Sequence, residues 1–284
     1  MSNFNQNKDI KMITNVYMQN YSNAKGGGIG DFFRGSFFLL QFCIKNNLLF
    51  DIDYQNHPVS KYLYKKYNRI EEKIDYGNVL YYYPNNEKTT TKFYNDFITY
   101  LHSNINKNIN LFSNNYPMNK ISKFEKIFLR DKFLPNEELV QMIDNKMASL
   151  GLLEKKFKVI HIRVDDSIFT NDTIDNTIIT NLYNFVDKIF KTNHNSKLLL
   201  LSNSNSVKII LKKKIKQLII DVNKITHLAF SDDNLSIRDT LCDMFLMSKS
   251  NEVFSISPYD HGTGFSKYIC ELYDIPCYPF FIKL

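Results

Sequence analysis

The sequence contains little of what would restrict it to a specialised class of protein. It has no Trp, and only nine Gly, seven Pro and four Cys among 284 residues. So few Gly and Pro exclude a collagen-like or linker-dominated chain. Hydrophobic residues make up 44% and charged residues 23%, which excludes an intrinsically disordered chain. The length allows one large or two modest globular domains.

The cysteines, the N-terminus and the apolar runs indicate a cellular compartment. Cys43, Cys242, Cys270 and Cys277 include no CxxC pair and no metal-finger spacing, and their apolar neighbours are typical of buried free thiols. No window reaches the ~18 apolar residues of a membrane span. The polar N-terminus lacks the apolar core of a secretory signal. We therefore predict a soluble protein of the reducing cytoplasm.

The charge is moderately positive and is spread along the chain. Lys and Arg number 36 against 29 Asp and Glu, which gives a net charge of +7. This excess suits an anionic ligand. The basic run Lys212–Lys216 follows apolar residues on a predicted helix, so it indicates a solvated helix face and not a nucleic-acid site. We predict no nucleic-acid partner.

Two parts of the chain alternate apolar strands with helices, a pattern typical of parallel α/β sheets. The first has a strand at Ile13–Met18, a loop at Gly26–Gly30, a helix at Asp31–Lys45 and a strand at Leu48–Asp53. In that helix we expect four apolar residues at helical spacing to be buried, namely Phe33, Phe37, Leu40 and Ile44. The second has predicted strands at Lys158–Arg163, Leu198–Ser202 and Glu252–Ser257, with helices between and after them.

The middle of the chain is less regular. Short helices are predicted at Lys92–Ser103 and Pro135–Leu150, and the Asn-rich stretch Asn104–Asn115 is predicted as a loop. We therefore predict an α/β protein of two Rossmann-like domains, 1–152 and 153–284, that face each other across a cleft.

Three segments between a strand and a helix could hold an anion. In the first, Gly28 and Gly30 belong to a glycine cluster before a helix N-terminus, which favours close approach of a ligand. The cluster fits neither the dinucleotide fingerprint nor the P-loop, and an ordinary tight turn is the alternative.

The second segment is HIRVDD, residues 161–166. His161 and Arg163 share one face of a strand that ends at the sheet edge. An Arg placed there can donate two hydrogen bonds to a phosphate. The alternative is an ion pair of Arg163 with Asp165 or Asp166.

The third segment joins a strand to a helix through a turn rich in hydroxyl groups. Its candidate phosphate ligands are Ser255, Ser257, Thr263, Gly264 and Ser266. Simple capping of the helix by Thr263 or Ser266 is the alternative.

The Asp51-Ile52-Asp53 run could be a metal-binding DxD motif, because both carboxylates lie on one face of a strand. Its place in the first strand–helix–strand unit favours a solvated strand end instead. The His residues show no zinc spacing, so we predict no metal.

At these segments the chain resembles the fucosyltransferase superfamily of GT-B fold, which includes α1,2-, α1,6- and protein O-fucosyltransferases. GGGIGDFFRGSFFLLQF resembles its Gly-rich loop and following helix, and HIRVDD its HxRRxD-type motif. DMFLMSKSNEVFSIS with GTGFSKYICELY resembles its Asp-containing helix and Ser-rich turn. The motifs occur in the same order and span Gly26 to Tyr273.

The resemblance implies residue roles. Arg163 matches the arginine that grips the β-phosphate, and His161 and Asp243 match residues near the guanine. Ser255, Ser257, Thr263 and Ser266 cover the hydroxyls of the phosphate turn. The second Arg of HxRRxD is Val164 here, so any contact that it makes in relatives is missing. Asp31 and Arg34 follow the Gly loop, where some relatives place catalytic or acceptor-binding groups.

The resemblance also implies an inverting transfer of fucose from GDP-fucose to a glycan hydroxyl, with no cofactor and no metal. Domain 1–152 is then the acceptor side and domain 153–284 the donor side. The acceptor hydroxyl needs a carboxylate to take its proton, and we expect Asp31 to be this base, with Asp166 and Asp172 as the alternatives. Two other functions stay open: a transferase for another nucleotide-sugar, and a basic binding protein with a decayed transferase fold.

Overall fold

The computed structural model describes residues 12–64, 74–82, 90–104 (without the side chains of 90–93), 107–165, 174–223, 225, 227–228, 231–259 and 262–282. The chain divides into two compact units, Met1–Leu134 with Leu228–Phe230, and Pro135–His227 with Ser231–Leu284. Each unit is built on one parallel sheet. The prediction of an α/β protein with two Rossmann-like halves is confirmed.

The first unit contains a sheet with the strand order β2-β1-β4-β3. Its strands are β1 (Met12–Val16), β2 (Leu49–Asp53), β3 (Leu80–Tyr82) and β4 (Ile109–Ser113). Its helices are α1 (Ile29–Asn46), α2 (Thr90–Ser103) and α3 (Lys123–Lys132). Strands β1 and β2, which precede and follow α1 in the sequence, pair in parallel. This confirms the predicted strand–helix–strand unit.

Helix α1 is buried on most sides because its backbone lies directly on the sheet. An added Cβ atom at Gly35 would collide with the carbonyl group of Ser113 in β4, so this approach requires glycine. Phe33, Phe37 and Leu40 are buried as predicted. The predicted burial of Ile44 is wrong: this side chain is 50% exposed, because the core positions of the last turns are taken by neighbouring residues such as Cys43.

The Asn-rich stretch predicted as a loop contains a central strand, so that prediction is wrong. Strand β4 lies between β1 and β3, and its Ile109 and Leu111 are buried against α1 and α2. The alternating Asn residues before it obscure a short apolar strand of period two.

The second unit contains a sheet with the strand order β7-β6-β5-β8-β9, again all parallel. Its strands are β5 (Phe157–Ile162), β6 (Lys197–Ser202), β7 (Ile219–Ile220), β8 (Glu252–Ser257) and β9 (Cys277–Phe281). Its helices are α4 (Glu137–Ser149), α5 (Asn176–Thr192), α6 (Asn205–Lys214), α7 (Asn234–Ser248) and α8 (Gly264–Tyr273). The three strands predicted here are confirmed.

The boundary between the units lies at Leu134 and Pro135, upstream of the predicted boundary at 152. Helix α4 accounts for the difference. Its buried residues Leu139, Ile143 and Met147 form one face at helical spacing, and the helix contacts α7 of the second unit.

The basic run at the end of α6 stabilises its own helix end. The Lys212 ammonium donates hydrogen bonds to the carbonyl oxygens of Lys216 and Leu218, at 2.6 Å each. Cations in the last turn of a helix also offset its dipole. Across the described ranges, no helix is both long and apolar enough to cross a membrane.

Candidate functional site

Arg163 is the first residue after β5, and its backbone is fixed on both sides. The Arg163 N–H donates to the carbonyl oxygen of Ile256 at 2.9 Å, which extends the pairing of β5 with β8 by one step. The next residue, Val164, exchanges two hydrogen bonds with the Asn203 side chain, at 2.8 and 3.2 Å. The half-buried Arg163 side chain therefore starts from a rigid position at the carboxyl edge of the sheet.

His161 lies two residues earlier in β5 and is 6% exposed. Burial, followed by the charge of Arg163, lowers the pKa of the imidazole to about 3, so the ring is neutral at physiological pH. Its ring lies 5.4 Å from that of Phe265 in α8. Within the described residues its Nδ1 atom is buried without a hydrogen-bond partner. A neutral imidazole with an unused nitrogen can bind a polar ligand group.

The turn between β8 and α8 brings the predicted hydroxyl groups together, but two of them bind each other. The Ser255 and Ser266 hydroxyls, both buried, are hydrogen-bonded at 2.7 Å and tie the strand to the helix. The Ser257 hydroxyl accepts a hydrogen bond from the Tyr259 N–H at 3.1 Å. The Ser255 and Ser266 hydroxyls therefore have a structural role, which joins the strand to the helix and differs from the helix capping considered for Ser266.

Helix α8 begins at Gly264, with Thr263 as its N-cap residue. The Thr263 side chain makes no capping hydrogen bond to the described residues, so its hydroxyl does not serve the helix start. Gly262 has φ +74°, in the left-handed region that glycine adopts without strain. The first N–H groups of α8 and the Thr263 hydroxyl can therefore donate to an anion.

Asp243 lies in α7 and is 5% exposed. Burial raises the pKa of its carboxyl to about 6, against the opposing charges of Lys208 and Lys146. Within the described residues its Oδ1 atom is buried without a hydrogen-bond partner. A buried acceptor of this kind is costly unless a ligand or a water satisfies it.

The charges around Asp243 were not predicted from the sequence. Lys208 in α6 is fully buried, and its ammonium donates to the Asp221 carbonyl oxygen at 2.6 Å. The Lys146 ammonium forms an ion pair with the Asp221 carboxylate, also at 2.6 Å. Lysine side chains normally face solvent, so the sequence does not indicate that these two lysines lie beside a buried carboxylate. The only available signal is the position of Lys208 beside the apolar Val207 and Leu211.

In the first unit, the Gly-rich loop follows β1 and is closely packed. Gly26 donates to the Gln19 carbonyl oxygen at 2.7 Å, and an added Cβ would collide with the Met18 carbonyl group. An added Cβ at Gly27 would lie within 3.2 Å of three side chains, so chain packing alone explains both glycines. Gly28 is the N-cap residue of α1 and Gly30 is its buried second residue.

Asn15 of β1 anchors the start of α1. Its amide nitrogen donates to the Phe32 carbonyl oxygen at 3.2 Å and to the Ser36 hydroxyl at 2.8 Å. Its amide oxygen accepts from the Ser113 N–H at 3.1 Å. One buried side chain thus connects two strands and the helix that carries Asp31.

Asp31 has two partners. Its Oδ2 atom accepts from the Gly28 N–H at 3.2 Å, as in a capping box, and its Oδ1 atom lies 2.9 Å from the Arg34 guanidinium. Arg34 also stacks over the Tyr116 ring at 4.5 Å. The Asp31 side chain remains 34% exposed, so solvent or a ligand can reach it.

The interpretation of Asp51 and Asp53 as a solvated strand end is wrong, because each is 1% exposed. Asp51 pairs with the Lys132 ammonium at 2.7 Å, and Asp53 accepts from the Tyr76 hydroxyl at 3.1 Å. Removing one partner of such a buried ion pair typically costs about 3–5 kcal/mol. Both carboxylates therefore have structural partners. Among the residues that the structure describes, no group of three or more His, Cys, Asp and Glu could hold a metal.

Asp166 and Asp172, the other two predicted carboxylates, lie outside the described residues. Asp165, before them, accepts from the Tyr259 hydroxyl at 3.3 Å, which links the end of β5 to the β8–α8 turn. His161, Arg163, Asp243 and the β8–α8 turn all belong to the second unit, while Gly28, Gly30 and Asp31 belong to the first.

Comparisons with known proteins find similarity in structure and not in sequence. No protein family model matches the chain, and no curated protein matches it. Solved fucosyltransferase structures match nearly the whole chain. NodZ from Bradyrhizobium aligns with 10% identity and a TM-score of 0.55, over 92% of each chain. NodZ α-1,6-fucosyltransferase soaked with GDP-fucose aligns with 11% identity and a TM-score of 0.56, over 93% of each chain.

A variant of Arabidopsis thaliana FUT1 in complex with GDP aligns with 10% identity and a TM-score of 0.57, over 95% of this chain and 70% of that one. The predicted resemblance to the fucosyltransferase superfamily is thus confirmed at the level of the fold, which is GT-B.

Proposed function

We propose that this chain, which has the GT-B fold of the fucosyltransferases, is an inverting glycosyltransferase. It transfers fucose from GDP-fucose to a hydroxyl group of a glycan and requires no metal. One observation carries the proposal: in a chain with this fold, Arg163 lies at a strand end beside His161, whose Nδ1 atom has no hydrogen-bond partner among the described residues. Asp165 links this strand end to the turn before α8. Two of the structural neighbours were solved with GDP-fucose or GDP.

The chemistry needs a stabiliser for the leaving group. When the bond between fucose and the β-phosphate breaks, negative charge grows on the phosphate oxygen. In the proposal, the Arg163 guanidinium and the first N–H groups of α8 stabilise this charge, because fixed donors at a protein site need no reorganisation. The acceptor oxygen forms the new bond to fucose, and its proton passes to a carboxylate, for which we propose Asp31.

A ligand panel tests the donor class. Thermal shift and calorimetry with GDP, GDP-fucose, UDP-sugars, ADP and an oligonucleotide should show stabilisation by the guanine nucleotides alone. Stabilisation by UDP-sugars would instead support a transferase for another nucleotide-sugar. Binding of GDP-fucose without release of GDP in the presence of an acceptor array would support the decayed-transferase alternative.

Activity should persist in excess EDTA. The proposal assigns charge neutralisation to Arg163 and the helix-end amides, and the buried Asp51 is already paired with Lys132. The measurement is the initial rate of GDP release before and after chelation, with added manganese as the control. A loss of activity that manganese restores would contradict the metal-independent mechanism.

The preference for GDP over ADP should depend on pH. If the Asp243 carboxylate accepts hydrogen bonds from the guanine edge, only its ionised form binds well. With a pKa of about 6, roughly one molecule in ten is ionised at pH 5 and nearly all are at pH 8. The ratio of GDP to ADP affinity should therefore fall about tenfold from pH 8 to pH 5.

The phosphates of GDP and ADP titrate alike, so the ratio of the two affinities reports only the contact with the nucleobase. His161, with a pKa of about 3, stays neutral over this range. In Asp243→Asn the preference should be weak and independent of pH. Two results would show that Asp243 does not contact the guanine. One is a GDP preference in the unmodified chain that does not change with pH, and the other is a GDP preference that survives in Asp243→Asn.

A further inference from the structure

Two cysteines line one cavity of about 480 Å³ in the second unit. Cys270 is in α8 and is buried, while Cys277 is the first residue of β9 and is half-buried. Lys267 and Glu271 of α8 line the same cavity. The fucosyl-transfer mechanism proposed above uses neither cysteine.

The backbone holds the two cysteines at fixed positions. Helix α8 ends where the N–H groups of Asp274 and Ile275 both donate to the Cys270 carbonyl oxygen, the second at 2.9 Å. Strand β9 is in register with β8, which places Cys277 opposite Val253. The turn between the two cysteines is therefore closed at both ends by hydrogen bonds.

The two thiol groups also affect each other's titration. Their mutual interaction raises the pKa of Cys270 and lowers that of Cys277. The nearby charge of Lys267 also lowers the pKa of Cys277. Since the thiolate is the nucleophile in thiol chemistry, the more exposed Cys277 is the one suited to react first.

The other two cysteines provide an internal contrast. Cys43 and Cys242 are buried, 1% and 0% exposed, and burial raises the pKa of each thiol. Such thiols are poor first nucleophiles. Cys270 is equally buried and its pKa is also raised, so its role is to react second, with a sulfur already bound to Cys277.

We propose that Cys270 and Cys277 form a reversible redox modification site that reacts with low-molecular-weight disulfides such as glutathione disulfide. The Cys277 thiolate attacks one sulfur of the disulfide, forms a mixed disulfide and releases one glutathione thiolate. The Cys270 thiolate then attacks the Cys277 sulfur and releases the second glutathione. The protein loses two protons and two electrons, and the glutathione disulfide gains them. The product joins the end of α8 to the start of β9.

The test uses the full folded chain incubated with glutathione disulfide, quenched by alkylation and digested without reduction. Mass spectrometry should find a disulfide between Cys270 and Cys277 within one chain, and dithiothreitol should restore both thiols. Cys270→Ser should stop at a glutathione adduct on Cys277, because the second thiol is missing. Cys277→Ser should leave Cys270 unmodified. Cys43→Ser is the matched control and should react like the unmodified chain.

Other results would overturn the proposal. They are failure of both thiols to react, a mixed disulfide that persists in the unmodified chain, and a disulfide that joins either cysteine to Cys43, Cys242 or a second chain. The redox test does not depend on the fucosyltransferase proposal, since its readout is covalent and needs no nucleotide or acceptor.

Discussion

Arg163→Ala is expected to lower the rate of fucosyl transfer by about 10²-fold to 10³-fold, which is the usual cost of removing one fixed donor to a developing anion. The protein should stay folded, because Arg163 follows β5 and its backbone N–H, which bonds to Ile256, is retained in the variant. The measurement is kcat for GDP release with a saturating donor, together with the thermal unfolding temperature.

Two further variants separate the role of the guanidinium from its charge. Arg163→Lys should recover little activity, because an ammonium group cannot donate two parallel hydrogen bonds to one phosphate. Lys191→Ala removes one positive charge from an exposed ion pair with Asp187 in the same unit and should change nothing. Near-normal turnover by Arg163→Ala would remove this residue from the mechanism.

Much of the fold could be predicted from the sequence, because buried parallel strands are continuous apolar runs. Leu198–Ser202 is of this kind and is a strand. Glu252–Ser257 is also a strand, although its apolar Val253, Phe254 and Ile256 are interrupted by a serine. Strand β4 was missed because alternating Asn residues conceal Ile109 and Leu111. Strand β9 was missed because it contains Pro279, which is tolerated at the edge of a sheet.

The candidate site could be predicted only where it lies beside a regular element. The apolar run before Arg163 predicts a strand that ends at this residue, and the period of two places His161 and Arg163 on one face of it. In the structure, β5 contains His161 and ends directly before Arg163. The partners of these residues could not be predicted, since they depend on packing between distant segments. Nothing near Asp243 in the sequence indicates that the buried Lys208 approaches it from another helix, or that Lys132 neutralises Asp51.

Asp31→Asn is expected to lower kcat by about 10²-fold or more if Asp31 takes the proton of the acceptor hydroxyl, in line with general-base contributions. The affinity for GDP should hardly change. An asparagine can still accept the Gly28 N–H hydrogen bond that caps α1, so the helix start should be preserved. The measurements are kcat with a saturating acceptor, the GDP dissociation constant and the unfolding temperature.

The substitution also breaks the ion pair between Asp31 and Arg34. The matched variant Arg34→Gln distinguishes loss of this ion pair from loss of the carboxylate itself. Arg34→Gln keeps the carboxylate but removes its charged partner and the contact with Tyr116. If the carboxylate is the base, Arg34→Gln retains far more activity than Asp31→Asn. If the ion pair only fixes the loop, the two variants lose activity equally. If Asp31 merely caps the helix, Asp31→Asn retains turnover and stability, and the role of base passes to Asp166 or Asp172.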